Sequence, residues 1–155
     1  MHTHNEDFMK TYPTGVAGKA TGTPLATLQR YLQRSHITLQ PCDVPSRGCG
    51  ENRGYSLRRI LQIALTTELT RLGIGPSRAA KAAFEFSDKG GTGRPVGELY
   101  PLGQTLLVGL PDGKSKVINV PPDKSISDVL SNDRAAFICD CGYVVAKVTE
   151  KLETK

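Results

Sequence analysis

Two neighbouring polar residues, Gln29 and Arg30, have side chains suited to reading the edges of base pairs. A glutamine amide can bond adenine through two hydrogen bonds, and an arginine guanidinium can bond guanine in the same way. The residues around them keep helical spacing, so polar and apolar side chains fall on different faces. The predicted apolar face consists of Leu25, Leu28, Tyr31 and Leu32.

The segment before this helix predicts a second, shorter helix and a tight turn. Thr14 can cap a helix that runs through Ala20, and Gly22 then ends it. Thr23 and Pro24 provide an N-cap and a proline for the first turn of the next helix. A short helix, a turn and a second helix with basic residues predict a helix-turn-helix.

The chain after this motif predicts a hairpin and two further helices. The alternating run Ile37–Gln40, followed by a stretch rich in proline and glycine up to Tyr55, predicts a β-hairpin with a long tip. The helices beyond it are expected to run from a cap at Ser56 to Gly73, and from Pro76 to about Phe86.

A glycine-rich segment divides the sequence. Residues 88–98 carry four glycines and a proline, which predicts a linker; a phosphate-binding loop is the alternative, but no Gly-Lys-Ser/Thr follows. Beyond it, Thr105–Leu110 and Ser115–Val120 predict a hairpin. A short helix, a buried strand over Ala135–Cys139 and a closing helix over Gly142–Leu152 complete the expected order. The alternative for the last segment is a strand, which its three valines favour.

The positive charge of the chain is concentrated in its first half. Residues 1–86 contain 11 lysines and arginines and 6 acidic residues, whereas residues 87–155 contain 9 of each. A basic half joined to a neutral half is typical of a nucleic-acid-binding domain with a separate partner or sensing domain.

Cysteine spacing gives only weak grounds for a metal site. Cys139 and Cys141 could bind a soft metal, and Cys42 and Cys49 could complete a set of four thiolates. Neither pair has the two-residue spacing of a zinc knuckle, and Cys139 lies in an apolar run. We therefore expect core cysteines, no metal and no other cofactor.

The sequence offers no set of residues for catalysis, since no serine or cysteine has a matching histidine and carboxylate. We expect a protein that is not an enzyme. No apolar run is long enough to cross a bilayer and no signal peptide is recognisable, so we expect a cytoplasmic, nucleoid-associated protein without membrane contact.

Three separated motifs, in order, resemble the DNA-binding domain of the MerR-type regulators. The stretch Val16–Tyr31 has the Ala-Lys helix, the turn glycine and the following threonine of that family. Arg53–Ser56 is similar to its Arg-x-Tyr-Ser motif after the wing, and Leu72–Ser77 is similar to its link between two helices. The resemblance covers about residues 12 to 86 and implies a winged helix-turn-helix.

The resemblance and the helix pattern together give a set of candidate DNA contacts. The second helix would enter the major groove, and Arg53, matching the family's wing arginine, would contact the backbone. Tyr31 could bond a phosphate or be a half-buried core ring, and Arg58 and Arg59 could bind phosphate or be surface charges. The full set is Thr27, Gln29, Arg30, Tyr31, Arg34, Arg47, Arg53, Arg58 and Arg59.

The sequence departs from the MerR pattern in two respects. Gln29 replaces a usual arginine, and the glycine-rich segment replaces the long dimerisation helix. The family's dimer geometry and its promoter-untwisting mechanism are therefore not implied. We expect self-association, as a homodimer or a larger assembly, through the second half instead.

The sequence as a whole predicts an α+β protein. Its expected parts are a disordered leader (1–11), a winged helix-turn-helix of four helices and a hairpin wing (12–87), a linker (88–98) and a small α/β domain for self-association or sensing (99–155). The expected function is that of a sequence-specific, duplex-DNA-binding transcriptional regulator. The alternatives are a DNA-bending factor of the phage excisionase type and a protein-interaction module without DNA binding.

Overall fold

A computed structural model describes residues 10–45, 53–130 and 133–154. It is a mixed α+β structure, as predicted. Its elements in chain order are β1 (Thr11–Pro13), α1 (Thr14–Thr21), α2 (Leu25–Gln33), β2 (Gly54–Ser56), α3 (Leu57–Arg71), α4 (Pro76–Ser87), β3 (Gln104–Gly109), β4 (Ser115–Val120), α5 (Ile126–Leu130), β5 (Phe137–Asp140) and α6 (Cys141–Glu153).

The first half contains a small two-stranded sheet that the sequence did not predict. β1 pairs antiparallel with β2, with Tyr12 opposite Tyr55. A side chain at Gly54 would lie 2.8 Å from the Thr11 hydroxyl, so glycine permits this close approach. Thr11 therefore belongs to the fold, although it was assigned to the leader; residues 1–9 of that leader lie outside the described residues.

The predicted hairpin differs from the one in the structure. Ile37–Gln40 forms no strand, because its backbone groups bond in turns: the Ile37 amide donates to the Tyr31 carbonyl, and the Gln40 carbonyl accepts from the Asp43 amide. The antiparallel pairing occurs instead at Val44 and Gly54, which exchange two backbone hydrogen bonds of 2.7 and 2.8 Å. The expected tip, residues 46–52, lies outside the described residues.

Helix α3 is the centre of the protein and connects its two halves. All of its residues from Arg59 to Thr67 are buried. It packs against α1 and α4 of the first half and against α6 of the second. Val144 and Val148 of α6 belong to the same apolar cluster as Leu28 and Ile63. The second half thus shares one core with the first, which differs from the expected pair of separate domains.

The second half contains a three-stranded antiparallel sheet in the order β4–β3–β5. The predicted hairpin is confirmed, with Leu107 opposite Val117. Gly109 lies directly under the ring of Phe137, and any side chain there would overlap that ring. On the other sheet face, Leu106 and Val108 pack with apolar residues of α5.

The glycine-rich segment 88–98 is a folded loop organised by Arg94, which is only 4% exposed. Its guanidinium lies over the ring of Phe86 at 5.1 Å. It donates hydrogen bonds to five carbonyls, those of Glu85, Phe86, Lys89, Pro95 and Glu98. A buried cation at the end of α4 satisfies carbonyls that the helix itself leaves unpaired. This packing differs from the flexible linker that glycine content predicted.

No helix within the described part of the chain is long and apolar enough to cross a lipid bilayer.

Candidate functional site

The turn between α1 and α2 is held by one left-handed glycine and a chain of hydroxyl groups. Gly22 has a φ of 66°. This left-handed conformation is unfavourable for any residue that carries a side chain. The Thr21 hydroxyl donates to that of Thr23 at 2.8 Å, and Thr23 bonds the Thr67 hydroxyl of α3 at 2.7 Å. Thr23 therefore anchors the turn to α3 instead of capping α2, whose N-cap is Pro24.

Helix α2 presents a continuous polar face to solvent. Leu28 and Tyr31 are buried in the core. The opposite side is exposed and consists of Gln29, Arg30, Gln33 and Arg34, with Leu25 and Ala26 at its N-terminal end. We call these six residues the reading face. Because the buried side is anchored in the main core, the reading face has a fixed orientation.

Three residues of α2 differ in exposure, and this decides which of their predicted roles the structure allows. Leu25 was expected in the core but is 56% exposed, because it is the first residue of the helix and projects past the packed turn. Tyr31 was a candidate phosphate contact, but it is 4% exposed and its ring belongs to the core, so that role is corrected. Thr27 is half-buried at the border of the reading face.

Arg59 was a candidate DNA contact, and the structure corrects this assignment. Its side chain is fully buried between two carboxylates. The Nε atom donates to Asp43 at 3.0 Å, and both terminal nitrogens donate to Asp88 at 2.8 Å. A third partner is the amide oxygen of Gln62. A guanidinium enclosed in this way cannot reach a phosphate.

The buried network stabilises the two chain segments that meet at the Val44–Gly54 bridge. Asp43 also accepts hydrogen bonds from the Ser56 amide and hydroxyl and from the Gln40 amide. Burial alone would raise the pKa of Asp43, but these hydrogen bonds and the charge of Arg59 lower it below its ordinary value. Burial would likewise lower the pKa of Arg59, but Asp88 and Asp43 raise it. Both groups are charged near neutral pH.

The remaining basic candidates lie around this network. Arg53 is half-buried and directly precedes Gly54 at the start of β2. Arg58, in the first turn of α3, is also half-buried. Arg47 lies outside the described residues. The structure thus brings Arg53 and Arg58 to the same end of α3, and it separates Arg59 from them by burial.

Two cysteines, Cys139 and Cys141, are packed in the core. Cys139 is 8% exposed on β5 and Cys141 is fully buried at the start of α6. Burial raises the pKa of Cys139 to about 11 and raises that of Cys141 further, so both remain protonated thiols. Within the described ranges, no three side chains of metal-binding type come together. Cys42 lies 3.3 Å from the Ser56 hydroxyl, and Cys49 is outside those ranges.

Three basic residues near the α1–α2 turn escaped the sequence analysis. Arg71 donates to the carbonyl of Gly22 at 3.1 Å, and Lys147 and Lys151 of α6 line the same surface. Nothing in the sequence indicated this, because the lysines belong to the neutral half and reach the turn only through the packing of α6 on α1.

No protein-family model and no curated protein matches this chain.

Proposed function

We propose that this chain is a transcriptional regulator that binds duplex DNA through a winged helix-turn-helix of MerR type. The observation that carries the proposal is the reading face of α2. It offers two arginines and two glutamines on one exposed side of a helix whose other side is fixed in the core. A helix of this kind fits the major groove, which is about 12 Å wide.

The chemistry of the reading face suits base recognition. Gln29 and Gln33 can each bond adenine with two hydrogen bonds, and Arg30 can bond guanine. Leu25 and Ala26, exposed at the N-terminal end, can contact the methyl group of thymine. An exposed leucine on a polar surface has a use in this arrangement that it would lack on an ordinary solvated helix.

The segment between Val44 and Gly54 is the proposed wing. Its two ends are joined by the antiparallel bridge, and the buried Asp43–Arg59 pair holds it to α3. Arg53 at its base would contact the DNA backbone, with Arg58 beside it; Arg47, outside the described residues, is a further candidate. Backbone contacts of this type position a protein on the duplex, whereas base contacts select the sequence.

Self-association of two or more copies is part of the proposal, because a single small module buries only about 600–1,000 Å² against DNA. Strand β5 is an edge of the three-stranded sheet, and among the described residues no strand pairs with its outer side. Ile138 on this strand is 38% exposed. A second copy could pair along this edge and present two reading faces to adjacent turns of one duplex.

Selection of bound sequences tests the function directly. The protein is mixed with random duplexes, and the bound fraction is sequenced and then titrated with salt. Enrichment of a defined motif, with affinity that falls steeply as salt rises, is the expected result. Tight binding without any motif, accompanied by strong bending in a circular-permutation gel shift, would indicate the excisionase-type alternative. Absence of duplex binding at low salt would leave the protein-interaction alternative.

A further inference from the structure

A small notch of about 50 Å³ lies at the surface where α6 meets the α1–α2 turn. Three basic side chains line it beside Gly22, namely Arg71, Lys147 and Lys151. Its acidic lining residue is Glu68, which forms an ion pair with Arg71 at 2.9 Å. Because the charges of Glu68 and Arg71 neutralise each other, the net positive charge of the notch comes from the two lysines. We call Lys147 and Lys151 the lysine ridge.

The lysine ridge is held in place by the packing of α6. Lys147 and Lys151 are four residues apart, so they lie above one another on α6, and they line the notch together with the buried residues Val144 and Val148. The Lys147 ammonium also lies 5.2 Å from the centre of the Tyr143 ring, a favourable cation–π contact. Lys147 is therefore held by this contact, while Lys151 is exposed one turn further along the same side of α6.

The neutral net charge of the second half hides this local excess. The acidic residues of α6 nearest to the ridge are Glu150 and Glu153, which are exposed and do not line the notch. At roughly 3.6 residues per turn, Glu153 lies on the side of α6 opposite the core, whereas Glu150 is three residues from Lys147 and neighbours it on the helix surface. The positive charge that borders the turn therefore comes from the two lysines, which line the notch.

The ridge lies close to the end of α2 that would enter the groove. Gly22, in the wall of the notch, is three residues before Leu25, a chain length of at most about 10 Å. The length of a lysine side chain extends the distance from the notch at which its ammonium group can contact DNA. The phosphates that border a major groove lie on either side of a helix inserted there, at a comparable distance from its axis.

We propose that the lysine ridge binds backbone phosphates of the same duplex that α2 contacts, so that the second half of the chain is part of the DNA interface. This inference rests on the proposed function. It assigns to α6 the task of fixing the register of α2 on the DNA, in addition to closing the core. The ridge recognises phosphate charge and carries no sequence preference of its own.

The test uses the full chain and a random-sequence duplex a few helical turns long, because phosphate contacts do not depend on sequence. Binding is measured by fluorescence anisotropy over a series of salt concentrations. Each lost phosphate contact reduces the slope of log K against log salt by about 0.9, so the K147A/K151A variant should lose about 1.8. The K147R/K151R variant, which keeps both charges, should retain the wild-type slope.

The matched control is the K114A/K124A variant, which removes two exposed lysines from loops of the second half. It changes the net charge equally, and its slope should stay at the wild-type value. Equal loss of slope in both double variants would show an effect of net charge alone and would overturn the proposal. An unchanged slope in K147A/K151A would overturn it too, and would assign the ridge to another partner, such as an acidic protein. If wild-type protein bound no duplex, the proposed function itself would fail.

Discussion

The Asp43→Asn substitution would keep the shape of a buried side chain but remove the charge that faces Arg59. The carboxylate accepts four hydrogen bonds, including 3.0 Å from Arg59 Nε and 2.6 Å from the Ser56 hydroxyl. An amide would direct its NH2 group at two of these donors. Breaking a buried ion pair costs about 3–5 kcal/mol when the remaining charge has no other partner. The lower end, about 3 kcal/mol, is expected here, because Asp88 still compensates the charge of Arg59.

Urea denaturation followed by circular dichroism measures this loss as a lower midpoint with an unchanged slope. For a protein of this size, a loss of about 3 kcal/mol lowers the Tm by roughly 6–12 °C. Asp123→Asn is the matched control, since Asp123 is exposed, and its cost should stay within about 0.5 kcal/mol. If Asp43→Asn cost less than about 1 kcal/mol, the network would not be what holds the base of the proposed wing.

The wild type and the Asp43→Asn variant should also differ in how their stability depends on pH. The pKa of Asp43 is lower in the folded state than its ordinary value of 3.8, so its charge stabilises the fold above that pH. This contribution is lost as the pH falls through the folded-state pKa. The free energy of unfolding should therefore decrease more steeply below about pH 4 in the wild type than in Asp43→Asn. Parallel curves would contradict the assignment.

Three further substitutions test the turn, the sheet and the association. Gly22→Ala should cost about 1–2 kcal/mol in thermal or urea unfolding because of its left-handed backbone, whereas Gly15→Ala, where nothing lies within 4 Å, should be neutral or stabilising; equal effects would refute the argument. Gly109→Ala should cost about 1–3 kcal/mol, because the ring of Phe137 must move, and an unchanged midpoint would contradict that packing. Ile138→Lys should abolish self-association in analytical ultracentrifugation at unchanged stability; an unaltered oligomer would exclude the β5 edge.

Local signals in the sequence were sufficient for most of the secondary structure. Ser56 as a helix cap, Pro76 at a helix start and the turn around Gly113 all depend on contacts within a few residues, and each lies where it was predicted. The amphipathic pattern of α2 likewise gave its exposed polar side correctly, apart from Leu25 at its first position.

Contacts between distant parts of the chain could not be predicted in this way. Nothing near Arg59 in the sequence distinguishes it from Arg58, yet Arg59 is enclosed by Asp43 and Asp88 whereas Arg58 is only half-buried. The pairing of β1 with β2 depends on Thr11 meeting Ser56 across two helices. The buried position of Arg94 was not predicted, because the surrounding glycines indicated a flexible linker. Their backbone freedom instead allows the loop to fold around the Arg94 guanidinium.

The measurement that tests the central claim most directly is the sequence preference of Arg30→Ala compared with that of the wild type. The selected duplexes are titrated with both proteins and with the control Arg134→Ala, which removes an exposed arginine in the second half. Arg30→Ala should weaken binding by about 1–3 kcal/mol, roughly 5- to 150-fold, and should relax the preference at one guanine position only. Equal affinity and unchanged preference for all three proteins would contradict the assignment of α2 as the helix that reads DNA.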